Sequence, residues 1–323
     1  MKTHGNKLIV MIPCFNEEES LPDVLKSIPK KIPGITKIEI LIIDDGSTDK
    51  TVQTAKRFRV KHFIIHKKNE GLAKSFADGL DMALSLGADI IVNTDGDNQY
   101  PQEDIPRLIE PILCKKADIV IADRQTEKIK YFSPTKRFLQ KIGSIIVRYF
   151  SDTKIKDAAS GFRAYSREAA MHLNIFTDYT YTIETIIQAG KKNLEVQSIK
   201  IKTRFTKRKS RLIKSIWIYL KISAATTIRM FAIYDPLKFF SYIAIFFSLP
   251  GFFLIFRFLY LYIINNESGH LQSLIIGSIL IIISFQIEVI GIVADLIAIN
   301  RRKLENILYR IKKIDFNKKY AQK

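Results

Sequence analysis

The first part of the chain alternates between short apolar runs and longer amphipathic stretches. The apolar runs have the length and composition of buried strands. They are Leu8–Pro13, Ile38–Ile43, His62–Ile65, Asp89–Val92 and Asp118–Ala122. The stretches between them favour helices, as from Leu72 to Leu86. This alternation predicts a mainly parallel α/β sheet covered by helices on both faces.

Polar side chains follow three of these predicted strands at their C-terminal ends. They are Asn16-Glu17, Asp44-Asp45 and Asp95-Gly96-Asp97. The carboxyl ends of parallel strands meet at one edge of a sheet, where such folds bind ligands. Two carboxylates one residue apart suit Mg²⁺ or Mn²⁺, especially when substrate phosphates complete the coordination shell. Taken alone, Asp-Gly-Asp is more often an acidic turn, but the three groups together predict a binding site.

Two long apolar runs in the second half of the chain predict a transmembrane hairpin. They cover Phe239–Ile264 and Leu271–Ile299, and each exceeds the ~20 residues needed to span hydrocarbon. We therefore expect a hairpin within residues 236–300, with spans at about 239–264 and 271–297. The connecting loop lacks Lys and Arg, whereas a basic tail follows at 301–323, so both ends are expected on the cytoplasmic side. Glu288 within the second span should have a polar partner.

The charge of the chain points to an anionic partner. There are 51 Lys and Arg residues against 32 Asp and Glu, a net charge of +19. Nucleic acid, an anionic membrane and a phosphorylated substrate would all fit this charge. The basic residues crowd between 200 and 214, just before an apolar stretch with Trp217 and Tyr219. This pattern predicts basic amphipathic interface helices over 205–235 and binding to anionic lipids. Aromatic residues do not interleave the basic run, which argues against nucleic acid.

Four motifs occur in a fixed order before the hairpin. They are Pro13-Cys14-Phe15-Asn16-Glu17, Asp44-Asp45-Gly46-Ser47, Asp95-Gly96-Asp97-Asn98-Gln99 and Ser160-Gly161-Phe162-Arg163. Through these motifs the chain resembles the family-two glycosyltransferases, and within them the polyprenyl-phosphate glycosyltransferases of the dolichol-phosphate mannose synthase type. The resemblance covers residues 7–210 and extends to the membrane segments. It implies a catalytic domain over 1–204 with the GT-A nucleotide-diphospho-sugar transferase fold, which is α/β, Rossmann-like and mainly parallel.

The resemblance also implies a reaction. A single sugar would pass from a nucleotide-sugar of the UDP-glucose or GDP-mannose type to dolichyl or undecaprenyl phosphate, with metal and with inversion at the anomeric carbon. Because a phosphate monoester is largely ionised near neutral pH, no general base is expected. The enzyme would lie in the plasma membrane as a multi-pass protein with its catalytic domain on the cytoplasmic face. A homo-oligomer is left open.

Residue roles follow from the same resemblance, motif by motif. The donor nucleotide is expected to contact Pro13, Asn16, Glu17, Asp44, Asp45 and Asp95. The Mg²⁺ or Mn²⁺ ligands would be Asp95, Asp97 and Gln99. The catalytic residues would be Asp97, Arg124 and Arg163. The acceptor phosphate would bind Lys136 and Arg137, and a basic loop near the donor and the membrane would contain Arg204, Lys209 and Arg211.

Structural roles for some of these residues stay open at this point. Glu17 suits the start of a helix, Asp45 a turn, and Arg124 a surface ion pair. Arg163 either reaches a phosphate or pairs with Asp157 as a brace.

Two other functions also stay open. A processive polysaccharide synthase usually carries a Gln-x-x-Arg-Trp segment, which is missing before Trp217. A non-catalytic membrane adaptor would have no need of the paired carboxylates.

Overall fold

The computed structural model describes residues 6–125, 143–145, 147–176, 181–204, 216–265 and 270–321. The chain divides into two compact units, one formed by Met1–Thr227 with Tyr309–Lys323 and the other by Ile228–Leu308. Strands in the first unit are β1 Asn6–Cys14, β2 Ile35–Asp44, β3 His62–Ile65, β4 Ile90–Asn93, β5 Ile119–Asp123, β6 Arg163–Ser166 and β7 Val196–Lys200. Helices in that unit include α1 Leu21–Ser27, α2 Thr51–Arg57, α3 Leu72–Ser85, α4 Ile105–Leu113, α5 Arg167–His172 and α6 Tyr181–Lys191.

The seven strands form one sheet in the order β3-β2-β1-β4-β6-β5-β7. The pairs β1–β2, β1–β4, β2–β3 and β5–β7 are parallel, as the alternation of strand and helix predicts. Strand β6 is different, because it runs antiparallel between β4 and β5. Its first residue, Arg163, therefore lies opposite Asn93, the last residue of β4. The segment before β6 is brought to the same edge as the ends of β1, β2 and β4.

Helices cover both faces of the sheet. On one face, Leu8, Val10 and Ile12 of β1 pack in a buried cluster with residues of α1 and α4. Helix α4 contributes a stripe of buried residues at helical spacing, namely Ile105, Leu108, Ile109 and Ile112. On the other face, α3 approaches so closely that a Cβ on Gly79 would lie 3.1 Å from Ile43 Cδ1. Alternate residues of each strand therefore face different helices, as expected for a sheet buried on both sides.

Three long helices follow the seven-stranded sheet: α7 Ile216–Tyr234, α8 Pro236–Asn265 and α9 Leu271–Ala321. Two helices among the described residues are long and apolar enough to cross a membrane. The most apolar 18-residue stretch has a mean hydropathy of 2.1 in Pro236–Ile264 and of 2.3 in Leu271–Phe316. Only 11% and 17% of their most apolar stretches are buried, whereas the core helix of a soluble protein would bury most of its apolar surface. Helix α9 also continues through the segment 301–321, for which the sequence indicated only a basic tail.

Close glycine contacts and a buried polar pair join α8 to α9 in the second unit. A Cβ on Gly277 would lie 2.8 Å from Ile255 Cγ1 and 2.9 Å from the Gly251 carbonyl oxygen. Small residues at such crossings let helix backbones approach. The Ser241 hydroxyl donates a 2.8 Å hydrogen bond to Glu288 Oε1. Glu288 therefore has the polar partner that its place in an apolar helix requires.

The end of α9, from Tyr309 onward, belongs to the first unit. The Tyr309 ring stacks on His172 with 4.0 Å between ring centroids, and its hydroxyl donates to Glu168. Lys312 Nζ lies 3.2 Å from Asp81 Oδ1 on α3. Burial and the nearby charge of Lys192 lower the pKa of His172. The ring is therefore neutral at pH 7 and suited to stacking on Tyr309.

Candidate active site

Three loops that leave the same edge of the sheet each contain a residue in the left-handed region. Asn16 after β1 and Asn98 after β4 both have φ of 57°, and Gln125 after β5 has φ of 49°. Asn tolerates this conformation better than most residues because its short side chain bonds locally. Backbone conformations of this kind are concentrated at binding sites. Their presence at this edge marks it as the first place to look for a site.

The loops after β1 and β2 hold each other through backbone and side-chain hydrogen bonds. Asn16 Oδ1 accepts from the Thr48 N–H at 2.8 Å, and the Asn16 N–H donates to Ser47 Oγ at 2.9 Å. The Glu17 N–H donates to Thr51 Oγ1 at 2.7 Å, at the start of α2. Pro13 is buried within β1. These predicted donor-site residues therefore lie at one edge, and Asn16 and Glu17 shape the loops there.

The neighbouring carboxylates Asp44 and Asp45 have different surroundings. Both carboxylate oxygens of Asp45 have hydrogen-bond partners. Oδ1 accepts from the Glu70 N–H and lies 2.8 Å from His66 Nδ1, and Oδ2 accepts from the Gly71 N–H. Asp44 is 2% exposed. Its Oδ1 has no hydrogen-bond partner among the residues described. Asp44 therefore offers the unpaired acceptor of this pair, and Asp45 fixes the loop after β3.

His66 was not identified from the sequence, although it directly follows β3 at this edge. Its Nε2 lies 3.2 Å from Asp78 Oδ2, so the ring lies between two carboxylates. Burial lowers the pKa of His66, but hydrogen bonds and charge from Asp45 and Asp78 outweigh this effect and raise it. The usable signal was its place immediately after a strand of the parallel sheet.

The acidic motif after β4 presents its two carboxylates differently. Asp97 Oδ1 accepts from the Gln99 N–H at 3.0 Å, which closes a tight turn. No hydrogen bond between described residues ends on the Asp95 carboxylate. Burial, together with the negative charge of Asp97, raises the pKa of Asp95 to about 7. The positive charges of Arg124 and Arg163 lower the pKa of Asp95, but by less than burial and Asp97 raise it.

Hard carboxylate oxygens one residue apart in the same loop fit Mg²⁺ or Mn²⁺. Within the described part of the chain, no cluster of three or more His, Cys, Asp and Glu residues could hold a metal ion. Asp95 and Asp97 would therefore need other oxygen ligands, such as phosphates or water, to complete an octahedral shell. Gln99 engages the motif through its backbone, and its role as a metal ligand stays a prediction.

Arg204 is the member of the predicted basic loop that the structure describes. Its Nη1 donates to Asn98 Oδ1 at 2.9 Å, and its Nη2 bonds both oxygens of Glu103. Its N–H donates to the Gln99 carbonyl at 2.9 Å. Arg204 therefore supports the loop of the acidic motif. The other predicted basic residues, Lys136, Arg137, Lys209 and Arg211, lie outside the described residues.

Arg124 forms a buried ion pair with Asp157. Nε donates to Oδ2 at 2.7 Å and Nη2 to Oδ1 at 2.8 Å, so the pair is bidentate. The exposed fractions of the two side chains are 9% and 5%. Burial alone would raise the pKa of Asp157. The charge and hydrogen bonds of Arg124 have the larger, opposite effect, so the pKa is lowered from its usual value. The surface ion pair considered for Arg124 is therefore a buried one, and its charge also lowers the pKa of Asp95.

The side chain of Arg163 is held within the fold, and its role as a catalytic residue stays a prediction. The side chain is fully buried. Nε donates to the Ser160 carbonyl, Nη2 to the Ala158 carbonyl, and Nη1 to the Thr182 carbonyl and Thr185 Oγ1. The physical reason is its place on β6, an interior strand of the sheet. Arg163 braces the fold through these carbonyl and hydroxyl oxygens. Asp157, the partner considered from the sequence, is paired with Arg124 instead.

Replacing Asp157 by Asn is expected to destabilise the first unit in a pH-dependent way. Breaking one side of a buried pair costs about 3 kcal/mol, which corresponds to a fall in Tm of about 6 °C or more. Because the folded pKa of Asp157 is depressed, its stabilisation is complete above the ordinary carboxyl pKa of about 4. It is lost as the pH falls through the lower folded value. The difference in Tm between the wild type and Asp157→Asn should therefore be constant from pH 8 to 5 and become smaller at lower pH.

Thermal unfolding of the full chain in detergent, followed by near-ultraviolet circular dichroism, measures this difference. Asp152→Asn is the matched control, because Asp152 is exposed and has φ of 55°, which Asn adopts readily. An Asp157→Asn variant as stable as this control at pH 7 would contradict the ion-pair account.

Known proteins share both the sequence pattern and the fold. The sequence profile of Glycosyl transferase family 2 matches residues 9–173, just over half of the chain. The UDP-N-acetylglucosamine–dolichyl-phosphate N-acetylglucosaminyltransferase of Methanococcus voltae is 28% identical over 227 residues, 62% of this chain and 88% of its own length. The dolichol-phosphate mannosyltransferase of Pyrococcus furiosus is 33% identical over 170 residues, 50% of this chain and 47% of its own.

A solved structure gives the fold independently. Glucosyl-3-phosphoglycerate synthase from Mycobacterium tuberculosis, crystallised with Mn²⁺, UDP and glucosyl-3-phosphoglycerate, superposes with a TM-score of 0.54 at 17% identity. The match covers 71% of this chain and 79% of the synthase. The mainly parallel sheet described above is thus the GT-A fold, as expected from the sequence motifs. The chain belongs to glycosyl transferase family 2 and is a glycosyltransferase.

Proposed function

We propose that this glycosyltransferase moves one sugar from a nucleotide-sugar to a polyprenyl phosphate. The observation that carries the proposal is the arrangement at the sheet edge. Gly96, between Asp95 and Asp97, lies against Cys14, since a Cβ on it would be 3.2 Å from Cys14 Sγ. Cys14 pairs with Asp44, whose Oδ1 has no hydrogen-bond partner among the described residues. An acceptor oxygen without a protein partner suits the N–H or hydroxyl donors of a nucleoside. The neighbouring carboxylate pair suits a cation carrying the donor diphosphate.

The acceptor assignment is supported by relatives and by the apolar helices. The relatives from M. voltae and P. furiosus are named for transfer to dolichyl phosphate. Two helices long and apolar enough to span a membrane would hold the catalytic unit at the surface where a lipid phosphate emerges. We place both ends of the hairpin on the cytoplasmic side because the flanking segments, unlike the connecting loop, are basic.

In the proposed reaction, an oxygen of the acceptor phosphate forms a bond to the anomeric carbon of the donor. The bond between that carbon and the diphosphate breaks, and the electron pair leaves with the nucleoside diphosphate. A bound Mg²⁺ or Mn²⁺ would supply charge neutralisation for this leaving group. A single displacement inverts the anomeric configuration. The phosphate nucleophile is already ionised near neutral pH, so the reaction requires no general base.

The remaining tasks of the chain are positioning and charge. Asp44 would hold the nucleoside, with Asp45, Asn16 and Glu17 keeping its loops in place. Arg124, whose guanidinium is oriented by Asp157, would face the donor phosphates, because planar guanidinium groups bind phosphate oxygens well. We propose that Lys136 and Arg137 bind the acceptor phosphate, and that Lys209 and Arg211 lie near the donor and anionic lipids.

A donor screen tests the proposal. Detergent-solubilised full-length protein is incubated with individual UDP- and GDP-sugars and Mn²⁺, with and without undecaprenyl or dolichyl phosphate, and release of nucleoside diphosphate is measured. We expect one donor to give release that requires the lipid phosphate and stops with EDTA. Release of nucleoside diphosphate without lipid phosphate, together with formation of a polysaccharide, would favour a processive synthase. Absence of nucleotide binding would favour a non-catalytic adaptor.

A further inference from the structure

Gly161 lies directly against the carboxylate of Asp95. The antiparallel register pairs Asn93 with Arg163, so continuing it by two residues on each strand brings Asp95 opposite Gly161. A Cβ on Gly161 would accordingly lie 3.0 Å from Asp95 Oδ1 and 3.2 Å from Oδ2. Any side chain at this position would therefore press on both oxygens of one candidate metal ligand.

Three hydrogen bonds hold Gly161 from two sides. Its N–H donates to the Tyr100 hydroxyl oxygen at 3.0 Å. Its carbonyl accepts from Asn93 Nδ2 at 2.8 Å and from the Tyr181 hydroxyl at 3.3 Å. Asn93 Nδ2 also donates to the Tyr181 oxygen at 2.7 Å, which joins two of these groups. All three side chains are buried, where hydrogen bonds are strong and their loss is costly.

The two tyrosines are themselves fixed by aromatic stacking. The Tyr181 ring stacks on Phe76 of α3, with centroids 3.7 Å apart and planes at 3°. The Tyr100 ring stacks on Phe162 with centroids 5.3 Å apart. Burial raises the pKa of Tyr100 to about 12 and that of Tyr181 well above its usual value. Both hydroxyls therefore keep their protons and their hydrogen bonds at working pH.

We propose that Gly161 is a positioning residue for Asp95 and that Tyr100 and Tyr181 hold it in place. In this arrangement the bare glycine sets how far the Asp95 carboxylate can turn, so its oxygens are presented to a cation in one orientation. Outer-shell contacts of this kind orient metal ligands. The inference deepens the proposed function and rests on its metal site at Asp95 and Asp97.

The test measures metal binding without relying on turnover. Full-length protein in detergent is titrated with Mn²⁺, alone and with one equivalent of UDP or GDP, and free Mn²⁺ is followed by electron paramagnetic resonance against a blank containing nucleotide only. We expect Gly161→Ala to weaken Mn²⁺ binding by about 10-fold or more, and Tyr100→Phe and Tyr181→Phe to weaken it by up to about 10-fold. The spectrum of bound Mn²⁺ should also change shape. Tm is recorded for every variant.

Gly143→Ala is the matched control, since a Cβ on Gly143 would meet no atom within 4 Å. If Gly161→Ala does not fold, the two Tyr→Phe variants decide the question, because each removes one hydroxyl and keeps the stacked ring. Equal Mn²⁺ affinity in wild type and in folded variants would overturn the positioning role while leaving the proposed function intact. Wild-type protein that binds no Mn²⁺ under either condition would overturn the metal site and this inference with it.

Discussion

Asp97→Asn is expected to lower the rate of sugar transfer by about 10³-fold or more. A cation that neutralises a leaving diphosphate contributes several kcal/mol, and each 1.4 kcal/mol is about tenfold in rate. Asn keeps a side-chain oxygen that can accept from the Gln99 N–H, as Asp97 Oδ1 does at 3.0 Å. The turn should therefore survive while the charge is lost. Release of nucleoside diphosphate in the presence of polyprenyl phosphate and saturating Mn²⁺ measures the rate.

Asp23→Asn is the control for this experiment, because Asp23 is an exposed carboxylate in the first turn of α1. Its activity should equal that of the wild type. An Asp97→Asn enzyme whose rate stays within about fivefold of the wild type would show that Asp97 is not a metal ligand. Loss of charge from a coordinating ligand should lower the rate far more.

The second large effect is expected for Arg163→Met, which should lower stability by about 4 kcal/mol or prevent folding. Three carbonyl oxygens and the Thr185 hydroxyl would lose their donor in a fully buried place. Unpaired buried acceptors cost about 1–3 kcal/mol each. The stability of Arg163→Lys should lie between those of the wild type and Arg163→Met, because an ammonium group can reach only some of these acceptors. Yield of folded protein and Tm in detergent measure the effect.

Arg57→Met is the control, since Arg57 is exposed on α2. The experiment also separates the two roles considered for Arg163 from the sequence. A variant that folds with the Tm of this control but fails in sugar transfer would support the prediction that Arg163 is a catalytic residue. Loss of stability in parallel with activity is what a brace predicts.

The edge that bears the site was predictable because parallel strands end together. Hydrophobic runs located the strands, and the polar residues after them identified the edge. Sequence alone could not distinguish Asp44 from Asp45, because that choice depends on His66 and on the N–H groups of Glu70 and Gly71. These partners come from a loop more than twenty residues further along the chain, and only the fold brings them to Asp45.

The burial of Arg163 could not be predicted for a similar reason. Its motif and charge suggested a phosphate ligand, but no local pattern shows that β6 runs antiparallel between β4 and β5. That position buries Arg163 and brings Gly161 against Asp95. A short strand inserted from a distant segment is visible only in the tertiary structure. The same insertion explains why Tyr100 and Tyr181 were not identified from the sequence.

The two apolar helices were predictable in place but not in extent. Length and apolar composition located both of them, whereas the continuation of α9 to Ala321 depends on contacts such as the stacking of Tyr309 on His172. The sequence indicated that Glu288 needed a partner. Identifying Ser241 required the packing of α8 on α9.

The central claim is that one sugar is transferred to a lipid phosphate, and analysis of the lipid product tests it most directly. The full-length protein is incubated with Mn²⁺ and the donor found by screening, together with either polyprenyl phosphate or the free polyprenol. The mass of the extracted lipid is then measured by mass spectrometry. The account predicts that polyprenyl phosphate gives a product heavier by one sugar residue and that free polyprenol gives none. Transfer to free polyprenol, addition of many sugars, or nucleoside diphosphate release without any glycolipid would contradict it.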